Sequence, residues 1–95
     1  MAVQLAAFAL SSGDAAAVER LVDGAIPVAR RHENAALLAT LMMFKAEALA
    51  LRGRDAEAQA MRMDSLGWAR YGFGAETNVR ARMREIRALT PTQGP

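Results

Sequence analysis

The feature that most constrains this chain is a self-similarity at an offset of forty positions. Shifted by that amount, Gly13 falls on Gly53, Ala16 on Ala56, Leu21 on Met61, Ile26 on Leu66, Ala29 on Ala69 and Arg30 on Arg70. The segments 26–30 and 66–70 correspond residue by residue, and even the helix-weakening Pro27 and Gly67 coincide. Each half carries a helical pattern, a glycine turn and a second helical pattern. A repeat of that content points to stacked helical hairpins, because one hairpin cannot bury its own apolar face and the next one covers it.

Composition agrees. Of the 95 residues 53% are hydrophobic, and Ala, Leu and Met dominate. With three Phe, one Tyr, one Trp and little Val or Ile, strand-favouring residues are sparse, while Ala, Leu, Met, Arg and Glu all favour helix. The expected fold is all-α: antiparallel helical hairpins, about five helices, in one domain over residues 1–90, with 91–95 as a frayed tail. Apolar periodicity places helices over 2–11, 14–31, 34–52, 55–71 and 76–89. Asp14 (or Ser12), Asn34 and Asp55 are the expected N-caps, and Gly13 and Gly53 the expected C-terminal stops. Pro27, just after Gly24, predicts a kink or a division into two short helices near 23–27. The 34–52 segment is apolar on nearly every side and should be the central helix.

The segment from Ala46 to Ala58 resembles the tetratricopeptide-like superfamily. Ala46 stands where that family has a small residue in its first helix, Gly53 at its turn glycine and Ala58 at its small residue early in the second helix. The resemblance covers two imperfect repeats within 3–71. It departs from the family in its longer period, against about 34 residues, and in lacking the large first-helix aromatic at the matching position of the second repeat. What the resemblance implies is a protein- or peptide-binding scaffold of α–α superhelical type. Two repeats would leave an apolar end, with the last helix capping one side and the N-terminal hairpin meeting another chain, or further sequence upstream. The first helix has no capping residue ahead of it, which suits a chain that continues upstream.

Several classes of chemistry find no support. There is no Cys, hence no disulfide and no thiolate metal site. His32 is the single histidine, beside Arg30 and Arg31, and is expected on the surface at a helix C-terminus. Residues 72–77 begin like a dinucleotide fingerprint, but Thr77 replaces the third glycine and no strand precedes it, so the segment is expected to be a turn. No nucleophile–base set, phosphate loop or calcium loop is present, and no cofactor is expected. No apolar run approaches the roughly 18 residues a membrane helix needs. The apolar start lacks a positive leader region and is expected to be a helix, not a signal peptide. A cytoplasmic location is expected, or export if Met1 is not the natural start.

Net charge is +2, and the excess lies in residues 76–95, with four Arg against two Glu. Arg80, Arg84 and Arg87 recur at helical spacing and form one candidate partner-binding stripe, with Glu76 placed to pair with Arg80. Trp68, Tyr71 and Phe73 form the other candidate set, expected mainly as the corner where the last helix docks. Met42, Met43, Met61 and Met63 are expected mainly as core filler. The function expected is a non-catalytic protein–protein interaction module or scaffold of helical-repeat type, self-associating into a homo-oligomer. The alternatives are a nucleic-acid-binding protein using the arginine stripe, and an accessory or regulatory segment of a larger protein.

Overall fold

The computed structural model describes residues 2–91. Five helices follow one another: α1 (Ala2–Ser11), α2 (Ala15–Arg31), α3 (Ala35–Leu51), α4 (Asp55–Gly72) and α5 (Glu76–Arg87). No strand occurs among the described residues, and the fold is all-α. α1 pairs with α2 and α3 with α4 as successive hairpins, and α5 lies on α3 and α4. Residues 92–95 of the expected tail lie outside the described residues. Pro91, the last one described, is half-buried, and a Cβ built on Gly13 would stand 3.3 Å from its Cγ, so this end of the chain folds back on the first turn.

α3 is the centre, as its all-round apolar pattern requires. Leu38, Ala39, Leu41, Met42, Met43, Phe44, Ala46, Ala48 and Leu49 are all buried, and every other helix packs against it. The two polar side chains buried on α3 are each satisfied. Thr40 donates its hydroxyl to the Ala36 carbonyl at 2.9 Å, and Glu47 is ion-paired. From the other helices, Ala6, Leu10, Val18, Val22, Ala29, Ala69, Val79 and Ile86 close the core.

Three of the four connections have one geometry, spaced twenty residues apart. In each, a residue with positive φ follows the helix: Gly13 (φ 74°), Glu33 (φ 52°) and Gly53 (φ 77°). The N–H of that residue donates three positions back, to the carbonyls of Leu10, Arg30 and Ala50. The following N–H, of Asp14, Asn34 or Arg54, donates five positions back to Ala9, Ala29 or Leu49 at 2.9–3.0 Å. This is the Schellman closure, which satisfies carbonyls a helix end leaves open. The residue completing it also begins the next helix. Asp14 and Asn34 cap through side-chain oxygens, accepting from the N–H of Ala17 and Leu37 at 3.0 and 3.1 Å.

The structure corrects three expectations and adds a fourth feature that the sequence did not signal. Arg54, not Asp55, occupies the N-cap of α4, and it makes no side-chain capping bond; Asp55 is the first helical residue. α5 stops at Arg87, and residues 88–89 form a turn. α2 does not divide at Pro27. Pro27, Gly24 and Asp23 are all exposed, so the break in the hydrogen-bond ladder falls on the solvent side of the helix. The αL position between α2 and α3 is held by Glu33, where a glycine was not available to mark it.

The last connection differs. Gly74 has φ 75°, and Gly72 closes α4 against the start of α3. A Cβ on Gly72 would lie 2.8 Å from Ala36 Cβ and closer still to its backbone. Only glycine allows the C-terminus of α4 to come this near.

Two stability changes follow. Glu33→Gly relieves a non-glycine αL residue and should stabilise by about 1 kcal/mol, raising the thermal midpoint by about 4–8 °C in a circular dichroism melt. Gly72→Ala drives a methyl into the α3 backbone and should cost about 1–3 kcal/mol in urea unfolding.

Candidate interaction surfaces

Five of the six candidate residues separate into two surfaces on either side of the C-terminal half of α4, and the sixth, Phe73, lies on neither. Phe73 alone behaves as the expected docking corner. It is half-buried, and the Arg82 guanidinium lies 5.8 Å from its ring centroid, joining the turn to α5. Trp68 and Tyr71 do not join it. Tyr71 is 84% exposed and Trp68 41% exposed, which overturns their expected packing role. One turn of helix explains the divergence: Ala69 and Leu66 take the inward face of α4, and the positions around them face outward.

Trp68 and Tyr71 border a hollow between the C-terminal ends of α2 and α4, floored by Leu38 and Met42 of α3. Arg30 and Arg70, which the forty-residue offset equates, stand on its two sides, and Glu33 and Asp64 balance them. The hollow is therefore aromatic, apolar at its floor and close to neutral. Arg30, Met42 and Arg70 were not picked out as site residues from sequence, although the repeat had already set Arg30 and Arg70 in register.

The second surface runs along α5. Val79 and Ile86 turn inward and Met83 is half-buried, while Arg80, Arg84 and Arg87 are exposed. Arg80 donates through Nε and Nη2 to Glu76 Oε1 at 3.0 and 2.7 Å. That hydrogen bond, with the Arg80 charge, holds the Glu76 carboxyl below its ordinary range. Arg87 Nε approaches Glu47 Oε2 at 3.8 Å. Arg84 has no acidic partner among the described residues.

A third exposed apolar pair lies far away in sequence, on α1: Phe8 at 75% and Leu5 at 48% exposure. His32 is exposed at the C-cap of α2. Met42 and Met43 fill core, but Met63 is 58% exposed. Among the described residues no cluster of three or more His, Asp or Glu is placed to hold a metal ion, and no helix is long and apolar enough to cross a membrane.

Beneath these surfaces lies a charge pair that periodicity did not reveal. Glu47, buried on α3, accepts from Arg62 Nη2 of α4 at 3.2 Å, while Arg62 Nε is buried without a partner. The forty-residue offset puts Ala7 at the position of Glu47 and Val22 at that of Arg62. The two repeats thus fill equivalent places with an apolar pair and with an ion pair.

No protein family, curated protein or solved structure matches the chain.

Removing one partner of a largely buried pair strands the other charge. Glu47→Ala should therefore cost about 2–3 kcal/mol in chemical denaturation. Adding Arg62→Val, which copies the first repeat, should recover most of that loss, a non-additivity that a double-mutant cycle reads directly.

Proposed function

We propose that this chain is a non-catalytic protein–protein interaction module of helical-repeat type that self-associates. The observation carrying this reading is the exposure of Trp68 and Tyr71 on the rim of the hollow between α2 and α4. Aromatic side chains presented in this way supply much contact area with few rotatable bonds, and such residues dominate protein interfaces. The near balance of Arg30 and Arg70 with Glu33 and Asp64 suits a polypeptide better than a polyanion.

The resemblance to the tetratricopeptide-like superfamily supports the same reading, since that architecture stacks hairpins and offers its surfaces to other chains. So does the second apolar site, Leu5 and Phe8 on α1. Two unlike apolar patches on one chain favour a head-to-tail contact, the patch of one copy against the hollow of the next.

Sedimentation velocity from micromolar to millimolar concentration tests this. Mass should rise with concentration, and the emission of Trp68, the single tryptophan, should shift to the blue as it is covered. Tyr71→Ser and Phe8→Ser, both at exposed positions, should each weaken association by about tenfold or more while leaving the helical spectrum unchanged. A strictly monomeric chain with constant Trp68 emission sinks the self-association.

A further inference from the structure

Between α4 and α5 lies a hollow of about 480 Å³ whose floor is Leu66, Val79 and Met83. It opens at Arg80 and Met83 into a shallower depression that continues past Arg84 and Arg87. The two form one strip, with Arg70 on the α4 side and Arg80, Arg84 and Arg87 along α5. Against these four guanidinium groups the strip's lining carries one carboxylate, Glu76, already bonded to Arg80. Arg84 has no acidic partner among the described residues, Arg87 is held only loosely by Glu47 at 3.8 Å, and Arg70 makes no ion pair but lies near enough to Glu76 to help lower its pKa.

An apolar floor between cationic edges selects an occupant with the inverse pattern. We infer that this strip takes an acidic amphipathic segment of another protein, with apolar side chains over Leu66 and Met83 and carboxylates reaching Arg70, Arg84 and Arg87. The inference rests on the protein-binding reading above and adds a second partner class at a different surface. Arginine suits the task because its planar fork meets a carboxylate with two parallel hydrogen bonds and stays charged at every relevant pH. An acidic helix offers carboxylates three and four residues apart, the spacing of Arg80, Arg84 and Arg87 on their own helix.

A nucleic acid fits less well. From Arg80 to Arg87 the stripe rises only about 10 Å, too short for the roughly six to ten phosphate contacts of a DNA-binding surface. A phosphate backbone laid along it would also leave Leu66 and Met83 facing charge.

Fluorescence anisotropy with the intact chain distinguishes these. The probes are a labelled helical peptide of about four turns with leucines on one face and glutamates beside them, a scrambled peptide of the same composition, and single- and double-stranded DNA oligonucleotides. The expected result is binding of the acidic amphipathic peptide at least about tenfold tighter than of the scrambled one, weakened by added salt. Arg84→Glu should abolish the preference with an unchanged thermal midpoint, and Arg70→Glu is the second variant should the first disturb folding. Equal affinity for the two peptides overturns the inference, and so does DNA bound as tightly as the acidic peptide. A chain that self-associates through Tyr71 yet ignores the acidic peptide loses this inference alone. Failure of both association and peptide binding removes the protein-binding reading as well.

Discussion

The structure depends on covering α3. A helix whose apolar residues face every direction has no side to give to water, so its neighbours must surround it. α2 and α4 flank it along its length, α1 fills the space beside α2, and α5 that beside α4. The charged residues of α3 and of its C-cap, Arg52, pair with the flanking helices. Lys45 reaches Asp23 of α2 at 2.6 Å, Arg52 lies 2.8 Å from Glu19 of α2, and Glu47 turns to Arg62 of α4. These charges are thereby answered by the flanking helices, and only the Glu47–Arg62 pair is largely removed from water.

Regular turns make this arrangement possible. Three connections share the same closure at twenty-residue intervals, and the forty-residue repeat is two such intervals. Short, identically built turns set each helix antiparallel to the one before it. They also explain why the internal likeness survives degeneracy. Under the offset, Ala6 and Ala46, Val18 and Ala58, and Ala29 and Ala69 are all buried to 1% or less. Helix interfaces require small or tightly fitting side chains at those points in both halves.

Much of this was legible in the sequence, for reasons that differ from element to element. Helix positions followed from periodicity, and Gly13 and Gly53 marked turns because only glycine enters the left-handed region at little cost. Glu33 carried no such mark, since its strain is visible only once φ is known. Pro27 does not divide α2, because the hydrogen bond it removes lies on the exposed side of the helix. Trp68 and Tyr71 also depart from expectation. Their size suggested burial, but their place on the helix decided it: Ala69, between them, takes the core-facing position. The Glu47–Arg62 pair stayed hidden because two charges fifteen residues apart announce nothing until the helices that bear them are packed.

The two repeats differ in character at a few equivalent positions. Ala7 and Val22 give way to Glu47 and Arg62, and Val28 to Trp68. Val28 and Trp68 are both 41% exposed, so the second repeat presents a larger apolar side chain at an equally exposed position. The ion pair has a further effect. It brings a buried carboxylate beneath α5, where Arg87 approaches the same oxygen as Arg62. An apolar pair at that place would offer α5 nothing to hold by charge. The second repeat thus carries Trp68 and the Glu47–Arg62 pair where the first carries Val28 and the apolar Ala7 and Val22. The hollow between α2 and α4 draws its lining from both repeats, the strip between α4 and α5 lies on the second alone, and Arg70 stands at the boundary between the two surfaces.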